Sequence, residues 1–258
     1  MDAHPPAPAP SRRANRTRPV LDRATIVAGA LQIIDERGVE TLSMRTLGRH
    51  LGYEAMALYR HVDGREDLLE GVVEHLMAGL ELPPAEGSWE DFVRAFAGEV
   101  RDLAHEHPRA FPLVATRHPA APWLRPPLRS LEVVEHFLAS LRQLGWDRAP
   151  AVEAYQAVSS FLLGYLLLEA STAGAPTAPV DAPMDEGQVL DGTSDQVDEA
   201  GDPLTGRDRE VDVTAYPTLT DLQPLLAVDR SDEEFAAGLE SVVTRLRGRF
   251  EHASAAGA

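Results

Sequence analysis

Residues 41–62, TLSMRTLGRHLGYEAMALYRHV, constrain this chain more than any other stretch. Ser43 can cap a short helix on which Met44, Leu47 and Leu51 recur at helical spacing. Gly52 then supplies a backbone that tolerates positive φ, so the chain can turn tightly. A second short helix is expected to follow, with Leu58 and Val62 inward and Ala55, Met56, Tyr59 and Arg60 facing out. Two short helices at a sharp angle, the second with an exposed face, form a helix-turn-helix that fits a major groove. The pattern implies a DNA-binding regulator.

A net charge of −17 argues at first against a nucleic-acid partner. The distribution of that charge argues the other way. Residues 11–61 hold nine Arg against five acids (Asp22, Asp35, Glu36, Glu40, Glu54), a local balance of +4. Residues 175–215 hold eleven acids against two Arg, a balance of −9. DNA feels the local field within a Debye length of about 8–10 Å, so the basic end can bind while the remainder repels. Weak non-specific binding then favours operator selectivity. The absence of Cys excludes disulfides, thiolate metal sites and cysteine nucleophiles. No apolar run is expected to approach membrane-spanning length, and the N-terminus lacks the apolar core of a signal peptide. No membrane partner and a cytoplasmic location are therefore expected.

Along the chain, residues 1–20 are Pro/Ala-rich and then Arg-rich (SRRANRTR), which reads as a flexible basic arm. It is either a solvated tail or an arm for phosphates or the minor groove. A helix is expected over 22–37, with Ile26, Ala30, Ile33 and Ile34 inward and Gly38 as its stop. Asp63 with Glu66 reads as a capping box opening a linking helix, whose stripe is Leu69, Val72, Val73, Leu76 and Leu80. Pro83 and Pro84 end it, which separates a DNA-binding domain at 21–82 from a second domain at 85–252. Ser88 with Asp91 opens the next helix, and a short helix follows near 111–116. A long amphipathic helix is expected over 123–144, and another begins at Asp147. Its segment FLLGYLLLEA (161–170) is apolar nearly all round, so it should be buried on every side, against its own domain and against something else. Residues 173–218 have no period and read as a mobile acidic loop, with a short helix near 219–226. Ser231 with Glu234 should cap the last helix. No strand signal appears. The expected fold is all-α, an N-terminal three-helix helix-turn-helix domain followed by a larger helical ligand-binding and dimerisation domain.

This order of parts resembles the TetR family of bacterial repressors. The segment LSMRTLGRHLGYEAMALYRHVDGREDLL carries the resemblance, above all at Gly52, Leu58-Tyr59, His61-Val62 and Leu68-Leu69. The likeness extends to the tetracycline-repressor subgroup through SWEDF (88–92), ATRHP (115–119), the helix end before Gly145, FLLGYLLLE (161–169) and FAAGLESVV (235–243). It implies that Ser43 touches phosphate at a helix N-terminus and that Arg45 reaches a base, with guanine preferred. Tyr59, His61 and Arg65 match phosphate contacts that fix register. Ala55, Met56 and Ala57 match the reading face, where they can meet thymine methyls but make no hydrogen bonds. Specificity would then lean on Arg45 and DNA shape. The other reading of Met56 is an exposed apolar residue without a role, and that of the Tyr59 ring a wedge within the domain while its hydroxyl still reaches phosphate. The last helices, around 150–170 and 232–250, should pack with their symmetry mates as a four-helix bundle, giving a homodimer and a palindromic double-stranded operator.

For the effector, the resemblance puts Leu113 and Glu81 where the tetracycline repressor has drug-contacting histidines. Without the metal-binding imidazole, a magnesium–tetracycline ligand is not expected, nor any metal or cofactor. Thr116 and Arg117 match the segment that moves on induction, and Glu169 matches an acidic residue near the pocket. A small, largely apolar effector is expected against Phe92, Phe96, Leu113, Thr116, Arg117, Trp123, Phe137, Tyr155, Tyr165 and Glu169. Ordinary core packing is the other reading of each aromatic.

An enzyme is not expected. His105 and His107 would point about 200° apart on a helix, so they cannot share a metal as i, i+4 pairs do, and a solvated helix end is expected there. No phosphate-cradling glycine loop, GxSxG or HExxH occurs. The rival readings are a helical dimeric interaction protein with a vestigial DNA-binding end, or a regulator that needs a co-repressor before it binds.

Overall fold

The computed structural model describes residues 21–172, 174–175 and 215–256 of the chain. The arm at 1–20 and most of the acidic segment lie outside these residues. The end of that segment, Pro217 and Thr218, opens a helix instead. Among the described residues there are nine α-helices and no strand.

Helix α1 (Arg23–Arg37) is capped by Asp22, whose carboxylate accepts from the Thr25 N–H at 2.7 Å. That bond holds the Asp22 carboxyl below the usual carboxylate range. Helices α2 (Met44–Leu51) and α3 (Ala55–Leu58) follow, then the linking helix α4 (Arg65–Ala78). The capping box expected at the start of α4 is shifted by one residue. Gly64, at φ 124°, is the N-cap and has no side chain to offer, so the third helical residue is Asp67 rather than Glu66. Asp67 reaches back to the Asp63 N–H at 2.8 Å.

Asp67 also receives both terminal nitrogens of Arg23, each at 2.8 Å, which clamps α1 to α4. The guanidinium holds the Asp67 carboxyl below its ordinary range. A depressed carboxyl stabilises the fold above its unfolded pKa of about 4, and the contribution is lost as pH falls through the lower folded value. Asp67→Asn is therefore expected to be less stable than the parent at neutral pH, with the gap closing in urea unfolding as pH falls below the unfolded pKa of about 4.

Ser88 caps α5 (Trp89–Glu106) by accepting from the Asp91 N–H at 3.0 Å. A single 3-10 turn, Phe111–Leu113, stands where a short helix was expected. The helix expected from residue 123 begins only at Leu131, as α6 (Leu131–Gln143), with Ser130 as its cap. Pro126 and Pro127 are the cause, since neither offers an N–H and the residue before a proline avoids helical angles.

Helix α7 (Arg148–Thr172) is 25 residues long and, by length and composition, apolar enough to cross a membrane. The expectation that no run approaches that length is corrected. In the fold α7 is the central helix, touching α5, α6 and α9 and burying Tyr155, Val158, Leu162 and Leu166. In the single chain Val152 and Leu168 stay exposed. Helix α8 (Pro217–Leu226) buries none of its side chains. Helix α9 (Ser231–Ala256) starts without the expected Ser231 box, as the Asp229 carboxylate takes the Ser231 N–H at 3.0 Å. One connected set of buried residues runs from Ile26 to Leu246, so the small N-terminal helices rest directly on the larger helical body.

Candidate DNA-reading face and effector cavity

The start of α2 is fixed by two reciprocal bonds. Ser43 Oγ accepts from the Thr46 N–H at 3.1 Å, and Thr46 Oγ1 accepts from the Ser43 N–H at 2.8 Å. Gly52 ends the helix in the left-handed region at φ 78°. Gly48 sets how closely α2 approaches the chain that follows. A Cβ there would lie 2.8 Å from the Tyr53 carbonyl oxygen, a backbone atom that cannot swing away. Gly48→Ala is expected to lower stability by about 1–3 kcal/mol, measured by thermal or urea unfolding, because the turn has to open to admit the methyl.

On this frame Leu47, Leu58 and Val62 are buried, while Met56, Tyr59, Arg60 and His61 face solvent. Ala55 and Ala57 are half-buried beside Met56. Arg45 is exposed in the first turn of α2 and has no ion pair among the described residues. Arg65, matched above to a phosphate contact, makes two bonds within the domain. Its Nε donates to the Leu42 carbonyl at 3.2 Å and its Nη2 to the Val39 carbonyl at 3.1 Å. As the first residue of α4 it is folded back under the 39–43 turn, and burial lowers its pKa. Arg65 is a brace between α4 and the entry to α2.

A cavity of about 20 Å³ lies between α4, α5, α6 and α7, walled by Met77, Leu80, Phe96, Val100, Phe137, Tyr155 and Leu162. Val114 and Leu128, from the irregular chain between α5 and α6, close one side. Of the residues expected at an effector site, Phe96, Phe137 and Tyr155 line it. Phe92 stacks behind them, its ring 6.3 Å from Phe96 and 5.7 Å from Phe137. The Tyr155 hydroxyl donates to the Pro126 carbonyl at 3.1 Å, and burial pushes its pKa up to about 12. Leu113 and Thr116 are buried in the turn next to Val114 and do not line the cavity.

The other candidates lie elsewhere. Arg117 is exposed, and Trp123 is 74% exposed because the chain has not yet become helical there. Tyr165 and Glu169 line a separate cavity of about 700 Å³ with His105, Asp229 and Glu234. Glu169 is paired there with Arg101 at 2.9 Å and His105 at 3.1 Å, and the Tyr165 hydroxyl donates to the Ser231 carbonyl at 2.7 Å. Wall residues not foreseen at an effector site, among them Met77, Val114 and Leu128, carried no signal beyond being apolar.

His107 ends α5 and is not solvated as expected. Its Nδ1 lies 2.8 Å from Asp35 at the end of α1, whose carboxyl burial pushes up. Arg109 donates to the Asp35 and Glu36 carbonyls. These residues tie the last turn of α1 to the helical body. His105 and His107 thus serve different carboxylates, and no group of three metal-ligating side chains occurs among the described residues.

Residues 26–72 match the bacterial regulatory proteins of the tetR family, and residues 82–248 match the tetracyclin repressor-like C-terminal domain. An HTH-type transcriptional regulator of Saccharopolyspora erythraea is 35% identical over 156 residues, which is 60% of this chain and 64% of that protein. The match thus spans just under two thirds of that relative. The class D tetracycline repressor protein of Escherichia coli is 27% identical over 228 residues, 86% of this chain and 88% of that one. Apo ActR from Streptomyces coelicolor is similar with a TM-score of 0.61 at 26% identity, covering 90% of this chain and 98% of ActR. ActR in complex with actinorhodin gives 0.59 at 26% identity, covering 88% and 95%. With both parts of its described helical body matched in order, this chain belongs to the TetR family, and its C-terminal domain is of the tetracycline-repressor-like type.

Proposed function

We propose that this protein is a transcriptional repressor that binds a palindromic operator as a homodimer and releases it when a small, largely apolar molecule enters the cavity beneath α4. The observation that carries this is the α2–α3 head. A rigid, capped frame over buried Leu47, Leu58 and Val62 leaves Arg45, Met56, Tyr59 and His61 outward, which is what a major-groove reader requires. Arg45 is the base-reading residue, Tyr59 and His61 are phosphate contacts, and Ser43 presents the helix N-terminus to phosphate. Ala55, Met56 and Ala57 supply an apolar floor for thymine methyls.

Dimerisation accounts for the apolar surface that one chain leaves uncovered. Val152 and Leu168 on α7, with Leu219, Leu225 and Leu226 on α8, are exposed, and such patches mark interfaces. The aromatic walls of the cavity support an apolar effector, and the ActR–actinorhodin complex supports a bound effector in a related protein. A cavity of about 20 Å³ is far below the roughly 300–1,000 Å³ that a drug-sized molecule needs, so binding has to part the walls. Parting them moves α4, which carries the reading head, and the two heads of a dimer change spacing. The effector acts only through its preference for the parted state. A regulator that acts on operator DNA works in the cytoplasm.

The test is selection of fragments of host genomic DNA by the purified protein at physiological salt. Enrichment of one palindrome is the expected result. If no sequence is enriched, stand-alone operator binding is wrong and the rival interaction-protein or co-repressor reading takes its place.

A further inference from the structure

Most of the cavity wall is made by packed helices, and one part is not. Val114 and Leu128 come from the chain between α5 and α6, where consecutive 3-10 bonds run only as far as Thr116 and no α-helix holds the backbone. A molecule that parts the walls meets least resistance there. What does hold this stretch is Arg129, next to Leu128.

The Arg129 backbone N–H donates to the Val114 carbonyl at 3.0 Å, and its Nη1 donates to Thr116 Oγ1 at 3.1 Å. Thr116 Oγ1 in turn donates to the Leu113 carbonyl at 2.7 Å. The rest of the guanidinium lies on Glu70 of α4, with Nε at 2.9 Å from Oε2 and Nη2 on the same oxygen. One side chain thus joins both halves of the soft wall and connects them to the linking helix. It is 14% exposed, sheltered enough for the pair to survive salt better than a surface pair.

We infer that Arg129 is a positioning residue that carries displacement of the Val114–Leu128 wall through Glu70 to helix α4, and so sets the attitude of the reading head. The far end of the same helix completes the path. Arg65 opens α4 and grips the Val39 and Leu42 carbonyls just before α2. Meanwhile the end of α1 is fastened to the body by His107 and Arg109, which leaves a fixed point about which α4 can turn. Nothing in the sequence hints at this tie, because its partners lie 59 residues apart. The inference rests on the operator-binding reading, and its test separates the two.

The chain contains no Cys, so Arg49→Cys on α2 introduces one spin-label site per protomer, and a dimer reports the distance between its two heads. Glu70→Gln, which keeps the shape and removes the charge, and Arg129→Met are compared with the parent in that background. Both are expected to shift or broaden the head-to-head distance distribution, and the Glu70→Arg, Arg129→Glu swap is expected to restore it. In unlabelled protein the same single variants should lose operator affinity on the order of tenfold. A merely structural ion pair would lower the melting temperature and leave the distance distribution alone. An unchanged distribution in Glu70→Gln overturns the inference, even if Arg129→Met fails to fold. If the parent selects no operator but the variants still shift the distances, the tie stands and the operator reading falls.

Discussion

Arg45→Ala is expected to weaken binding to the selected palindrome by about 1–3 kcal/mol, roughly five- to 150-fold. The size follows from what surrounds it. Ala55, Met56 and Ala57 carry no hydrogen-bonding side chain, so on the proposed reading one exposed guanidinium would supply most of the direct readout on this face. The loss should be confined to one base pair. Titration of base-substituted operators by fluorescence anisotropy should show the guanine preference there disappearing, while discrimination elsewhere is kept. His61→Ala, by contrast, should weaken all operators about equally, as expected of a phosphate contact. Arg45 is exposed, so its removal should leave the melting temperature nearly unchanged. Parent-like affinity for every operator variant would end the base-contact role.

Phe137→Ala should be the most destabilising single truncation near the effector cavity, costing about 3–5 kcal/mol. The ring is 1% exposed and lies 4.8 Å from Phe96, 5.7 Å from Phe92 and 6.2 Å from Tyr155, measured between ring centroids. Its loss removes the middle of that cluster and joins a new void to the existing one. An apolar hole of that kind stays dry and accepts small aromatic molecules. Indole or benzene should therefore raise the melting temperature of Phe137→Ala in a concentration-dependent way and leave the parent unaffected. A variant that melts like the parent would show that the cluster is not packed as described.

How much of this was legible in the sequence depended on distance along the chain. The Ser43 cap and the Gly52 turn are local, each decided within a few residues, and both stand as expected. So does the Ser88 cap of α5. The box at Asp63 missed by one residue because Gly64 at positive φ moves the helix start, a backbone fact that a pattern of acids does not carry. The helix expected from residue 123 starts only at Leu131, because apolar spacing does not carry the effect of Pro126 and Pro127, and Trp123 stays exposed before it. The brace that Arg65 makes was hidden for a different reason. The resemblance fixed its position, but the carbonyls of Val39 and Leu42 lie more than twenty residues earlier, and nothing local announces them. Glu169 likewise sits on the expected helix but turns to Arg101 instead of the apolar cavity. Apolar periodicity finds helices; it does not say which polar groups meet across them.

The near-closed cavity has a consequence for timing. A molecule approaching this cavity finds no vacancy there to collide with, so on the proposed reading its entry waits on the walls to part of their own accord. Association then has a ceiling set by that opening rate, and past it more effector does not hasten the response. The fraction of time spent open also scales down the apparent affinity. Departure must pass the same barrier. Mutations that loosen the wall would thus quicken both switching on and switching off, trading a persistent response for a prompt one.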